Sequence, residues 1–278
     1  GKSKYIVGQK KIGKYWYMFD PENGAMVTGW YNHTAKTNPD GAKKVYYDSD
    51  GHMVFGQKKI GKYWYMFDMD TGAMVKGWFD HTTETNPDGA KRVYYNKKGR
   101  MLTGQQEIGK YWYMFDPDTG AMVKGWFNHT LKTNPDGVKK VYYNTKGRMV
   151  TGQKKIGKYW YMFDMDTGAM KTGWFNHTLE TSPDGAKRVY YNKKGRMLTG
   201  QQKIGKYWYM FDPDTGAMKK GWYKHTELTN PDGAKKVYYN KKGRMLTGQQ
   251  KIGQYWYMFD METGAMVKGW YYHTDETN

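Results

Sequence analysis

Twelve tryptophans occupy two fixed phases of a 48-residue period: Trp16, Trp64, Trp112, Trp160, Trp208 and Trp256, then Trp30, Trp78, Trp126, Trp174, Trp222 and Trp270. An indole in so polar a context can stack on a sugar ring or hold a cation over its π face, an attraction of about 0.5–2 kcal/mol. Basic residues keep the same period, among them Lys98, Arg100, Lys124, Lys139, Lys140, Lys154 and Lys155, and these are candidate anion contacts. A histidine follows each Gly-Trp, at His33, His81, His129, His177, His225 and His273. With an ordinary pKa near 6.5 it gains charge as its surroundings acidify. Protonating all seven histidines takes the net charge from +19 to +26. His81, His129, His177 and His225 therefore join the anion candidates, and binding that tightens in acid is the expectation. The alternative role is a hydrogen bond to the loop backbone that holds the loop against the tryptophan.

Such a period makes the chain a stack of units, each burying its apolar surface against its neighbours. The units run approximately over 8–55, 56–103, 104–151, 152–199, 200–247 and 248–278, the last one partial. They form one continuous array over 1–278, expected to be a piece of a longer protein. Aspartate followed by proline opens the turn in alternate copies and aspartate followed by methionine in the others, the trace of a duplicated 96-residue cassette. Cysteine is absent, so packing rather than disulfides or thiolate metal sites must hold the fold. No apolar run approaches the roughly 20 residues of a membrane span, so none is expected.

Aromatic and β-branched residues interrupted by glycine favour strands over helices. In KYWYMFD alternation places Tyr111, Tyr113 and Phe115 on one face, and Trp112 and Met114 on the other. The turn signal PDTG predicts a hairpin of KYWYMFD with AMVKGW, and TKGR predicts a second of VKKVYYN with MVTGQKK. Six hairpins of the first kind and five of the second follow. Two-stranded hairpins are marginal in water, so the predicted fold is all-β, a solenoid of about eleven stacked hairpins, two per repeat. Rings that narrow hairpins cannot hide would line grooves between units.

GKYWYMFDPDTGAMVKGW resembles the cell-wall-binding repeats of Gram-positive surface proteins, the superfamily that includes choline-binding, glucan-binding and clostridial toxin repeats. The resemblance rests on Gly109, Trp112 with Tyr113, Gly120 to Met122, and Gly125 with Trp126, and it extends over essentially the whole chain. It implies a secreted, cell-surface attachment module with ligand sites between consecutive hairpins. Carried over by position, the implied aromatic sites are Trp16, Tyr17, Met26 and Trp30; Trp64, Tyr65, Met74 and Trp78; and Trp112, Tyr113, Met122 and Trp126. The later copies supply Trp160, Tyr161, Met170 and Trp174; Trp208, Tyr209, Met218 and Trp222; and Trp256, Tyr257, Met266 and Trp270. The second hairpin departs from the motif, with Val141 at the position matched to its first tryptophan and Gly152-Gln153 where Gly-Trp belongs.

The excess of Lys plus Arg, 45 against 26 for Asp plus Glu, disfavours free choline and suits a phosphate polymer such as teichoic or lipoteichoic acid. Glucan, choline and a host glycan are the other partners considered. Nucleic acid is disfavoured because no nucleic-acid module matches. Every candidate reactive group except His52 comes in several copies, which speaks against an enzyme. No cofactor or metal is expected: the DPDTG turn opens like a calcium loop, but Phe127 stands where that loop needs glutamate. The array is expected to be monomeric.

Overall fold

The computed structural model describes residues 5–38, 40–86, 88–134, 137–182, 184–230 and 232–275. Pro135 and Asp136 of the loop LKTNPDG lie outside them. The chain divides into two compact units, Gly1–Val138 with Tyr142–Met149, and Lys139–Val141 with Val150–Asn278. Each is a solenoid-like stack of hairpins. Among the described residues twenty-two strands form eleven two-stranded sheets and there is no helix.

The strands stand where aromatic and β-branched residues predict them, but their partners differ from expectation. Gly104–Ile108 pairs with Tyr111–Phe115, so KYWYMF joins the segment before it rather than AMVKGW. The connection is Gly109-Lys110, a two-residue loop whose glycine has φ +64°. Glycine first in a two-residue loop matches the right-handed twist of the flanking strands. Likewise Gly173–His177 pairs with Lys187–Tyr191 across the long His-Thr loop. The turns PDTG and TKGR link one hairpin to the next, closed by Gly120 N–H donating to the Asp116 carbonyl and by a single bridge, Phe115 to Met122.

The methionine after each such turn leaves for an earlier hairpin. The Met101 N–H donates to the Trp64 carbonyl at 2.9 Å, and the Met122 N–H donates to the Arg92 carbonyl at 2.8 Å. Main-chain bonds thus stitch successive hairpins, which explains why one unit alone would be unstable. The thioether then lies on the next turn glycine: a Cβ at Gly99, where φ is +75°, would stand 2.3 Å from Met74 Sδ. Two independent reasons therefore require glycine there. The core uses both faces of YWYMF, since Tyr113, Met114 and Phe115 are all buried while Trp112 is exposed. Met66 packs with Val93 and Tyr95, and Met162 with Val189, Tyr191 and Met197.

Candidate functional site

The two tryptophan phases have different surroundings. Trp64, Trp112, Trp160 and Trp208 are 37–40% exposed, and among the described residues none has an aromatic neighbour in ring contact. Each stands on its strand directly across from residue 59, 107, 155 or 203, and so shares a face with it. Those partners are Lys59, Glu107, Lys155 and Lys203. Trp64 opens on a groove of about 620 Å³ lined by Lys59, Lys62, Tyr63, Arg100 and Met101. Grooves of about 570 and 560 Å³ repeat it at Trp160 and Trp208, with Arg196 and Arg244 in the arginine role.

Local chemistry fixes that arginine. Asn96 Oδ1 accepts from the backbone N–H of Lys98 and of Arg100, curling the turn so that the Arg100 guanidinium lies 4.1 Å from the Tyr63 ring centroid. Arg148, Arg196 and Arg244 repeat the contact on Tyr111, Tyr159 and Tyr207 at 3.9–4.1 Å. The first copy substitutes His52, stacked on Tyr15 at 3.7 Å with Nε2 at 2.8 Å from the Tyr17 hydroxyl. Asp48, Asp50 and His52 have ligand-capable atoms within 4.8 Å of one another, but Asp48 Oδ1 already accepts the Asp50 and His52 N–H groups.

The other phase forms aromatic clusters. Trp30 meets the edges of Tyr46 at 5.1 Å and Tyr65 at 4.9 Å, with Phe67 at 5.8 Å. Trp78 does the same with Tyr94, Tyr113 and Phe115, Trp174 with Tyr190, Tyr209 and Phe211, and Trp222 with Tyr238, Tyr257 and Phe259.

This arrangement separates the quartets carried over by position. Tyr113 is buried against Trp78 of the preceding copy, while its strand neighbour Trp112 is exposed. Tyr65, Tyr209 and Tyr257 likewise serve Trp30, Trp174 and Trp222. Met26, Met74, Met122, Met170 and Met218 lie on turn glycines, so the groove methionines are instead Met101, Met197 and Met245. Tyr17 and Tyr161 stack on Phe19 and Phe163. In the last copy Trp256 is 63% exposed and Trp270 fully exposed.

The basic candidates divide in a similar way. Arg100 and Lys155 line grooves; Lys98, Lys124 and Lys154 are exposed. Lys139 Nζ donates to the Thr167 carbonyl at 2.8 Å, and the Lys140 carbonyl accepts the Met170 N–H. In matched register Trp64, three residues before Phe67, corresponds to Arg92, three before Tyr95. The counterpart of the first tryptophan is therefore this basic position, Lys140 in the third copy, and not Val141.

The histidines expected to face an anion are buried instead. His81 Nε2 is 2.9 Å from the Tyr95 hydroxyl and Nδ1 is 3.1 Å from Thr85 Oγ1. Thr85 Oγ1 donates to the Thr82 carbonyl and accepts the Thr82 N–H, so Nδ1 carries the imidazole proton and Nε2 accepts from tyrosine. His129, His177 and His225 make the same bonds. Burial, then a nearby lysine, holds His33, His81, His177 and His225 below the usual histidine pKa. The imidazole thus helps tie down the loop through Thr85 or its equivalents, in the structural role expected, but its ring neighbour is Phe79 or its equivalents rather than a tryptophan.

Sequence reasoning missed Tyr63, Tyr159 and Tyr207, Met101, Met197 and Met245, and Lys59 and Lys203. The turn after Ile60, Gly61-Lys62, was the available signal, since it sets the register that places Lys59 beside Trp64.

Comparison with known proteins bears on these repeats. Residues 83–127 and 183–223 match the choline-binding repeat family. The fold is similar to that of CbpJ from Streptococcus pneumoniae, at 24% identity over 94% of each chain with a TM-score of 0.67. Choline-binding protein F from the same organism aligns at 25% identity over 95% of this chain and 93% of its own, with a TM-score of 0.61. Its structure in the presence of a peptidoglycan analogue gives 23% identity, 94% and 92% coverage and a TM-score of 0.63. No curated protein matches by sequence.

Proposed function

We infer, from the membership of this chain in the cell-wall-binding repeat superfamily of Gram-positive bacteria, that it is a non-catalytic attachment module, secreted and held at the cell surface. Its ligand is an anionic wall polymer of the teichoic or lipoteichoic acid type. The observation that carries this reading is the groove repeated at Trp64, Trp160 and Trp208, which sets an uncapped indole beside two lysines and a tyrosine-stacked arginine. An indole face suits the sugar or polyol portion, and the cations suit the phosphate diester. Arg100, stacked on Tyr63, presents its guanidinium with little rotamer freedom left to lose on binding.

Binding of the chain to Gram-positive walls, intact and stripped of teichoic acid, tests it across a salt series. Loss on stripping and weakening by salt are expected for the polymer reading, together with loss in a Trp64→Ala, Trp160→Ala, Trp208→Ala variant. Binding that survives both stripping and salt would overturn the anionic ligand in favour of an uncharged wall glycan.

A further inference from the structure

The tryptophans of the second phase already have a cation on their rings, supplied by the chain. Lys44 Nζ stands 4.7 Å from the Trp30 ring centroid and Lys236 Nζ 4.4 Å from that of Trp222. Arg92 and Arg188 place their guanidinium carbons 4.9 and 4.6 Å from Trp78 and Trp174. The placement follows from register: Trp30 is opposite Tyr46, so Lys44, two residues away, is its diagonal neighbour on the same face. The main chain at each cation is pinned, because the carbonyls of Lys44, Arg92, Arg188 and Lys236 accept from Met74, Met122, Met218 and Met266. Asp80 further holds Arg92, with its carboxylate 3.7 Å from Nε.

Around each of these rings stand two tyrosines and a phenylalanine. An indole walled by further rings is the arrangement that attracts a quaternary ammonium ion. Here the attraction is already satisfied from within, and an incoming cation would meet a like charge that the backbone keeps in place. The first-phase tryptophans differ: at the same register position their hairpins carry the indole itself, and among the described residues no lysine or arginine lies over Trp64, Trp160 or Trp208.

We propose that Lys44, Arg92, Arg188 and Lys236 are specificity-determining internal ligands, which close the Trp30, Trp78, Trp174 and Trp222 clusters to alkylated ammonium compounds. The clusters are thereby ammonium sites filled by their own chain, and they become open ones when the cation is removed. The proposal is independent of which wall polymer the first-phase grooves hold.

Choline chloride is the probe, titrated against sodium chloride of equal ionic strength while the indole N–H resonances of the four tryptophans are followed by NMR. In the unaltered chain these resonances should show no saturable response beyond that of sodium chloride. In a Lys44→Gln, Arg92→Gln, Arg188→Gln, Lys236→Gln variant with an unchanged circular dichroism spectrum they should saturate, with affinity at least about fivefold tighter than any response of the unaltered chain. Saturation of the same resonances at equal affinity in the unaltered chain would overturn the proposal. So would a folded variant that gains nothing. Should the fourfold variant unfold, Lys236→Gln read at Trp222 decides between the same two outcomes.

Discussion

Glu107 stands where the equivalent hairpins carry lysine. Lys11, Lys59, Lys155, Lys203 and Lys251 each face a first-phase tryptophan across the strand pair, and Glu107 faces Trp112. Trp112 therefore has a carboxylate beside it where the other first-phase tryptophans have an ammonium group, even though Arg148 still stacks on the adjoining Tyr111. Reversing that charge about 6 Å from a phosphate, with ordinary screening, should tighten binding of the chain to purified teichoic acid about threefold in Glu107→Lys. The exposed site should leave the thermal midpoint nearly unchanged. Equal affinities measured by calorimetry at 0.15 M salt would remove Trp112 and Glu107 from the binding surface. A second test at this scale is Arg196→Ala, which strips the cation from Tyr159 and should weaken polymer binding more than Lys154→Ala, at an exposed position outside the Trp160 groove. Only part of this was legible beforehand. The tryptophans, lysines and arginines were visible by type and period, but which lysine shares a face with which indole depends on strand register. A one-residue change of register would turn Lys59 away from Trp64.

At the scale of elements, the strands could be read from composition while their partners could not. PDTG contains the stronger local turn chemistry, proline, aspartate and glycine, yet the pairing it starts ends where Val123 bonds the Met114 carbonyl, and the Met122 N–H between them goes to Arg92. That competition is tertiary, and no local pattern records it. The unassuming Gly109-Lys110 closes the real hairpin. The His-Thr loop is the other element whose detail needed the structure, and its buried imidazoles imply a response of stability to acid. Neutral His81 accepts from the Tyr95 hydroxyl; protonation would replace that lone pair with a second donor aimed at the same oxygen, to which Gln57 also donates. A folded-state pKa below the unfolded value means that the unfolded chain binds more protons between the two. The stability held by these histidines is therefore complete above about pH 6.5 and is lost as pH falls from there through the folded-state pKa. Every tenfold difference in proton affinity corresponds to about 1.4 kcal/mol per histidine, and several act in parallel. Thermal denaturation should show a midpoint several degrees lower at pH 5 than at pH 7.5. A midpoint independent of pH would show that the imidazoles are not held neutral.

At the scale of the whole molecule, a net charge of +19 and repeated grooves suit a ligand that itself repeats, as the proposed wall polymer does. Each groove is shallow and open, so a single contact is expected to be weak. Once one groove holds the polymer, the next contact on the same strand is intramolecular, and tethering can strengthen the total by a factor of about 10²–10⁴ without any new kind of contact. The dependence on groove number should then be multiplicative. Trp64→Ala, Trp160→Ala and Trp208→Ala, made singly, should each lower apparent affinity for immobilised wall several-fold, and the triple variant by roughly the product of those factors. Salt separates the two contributions. Screening shortens from about 8 Å at physiological ionic strength to about 3 Å at 1 M, so the charge-driven part should fade across that range while indole stacking persists. The triple variant should retain a steep salt dependence from its unchanged lysines and arginines but bind weakly at every salt concentration. The unaltered chain should retain measurable binding at 1 M. If the single and triple variants bound alike, the grooves would act as alternatives rather than together, and the repetition would serve stability of the stack more than attachment.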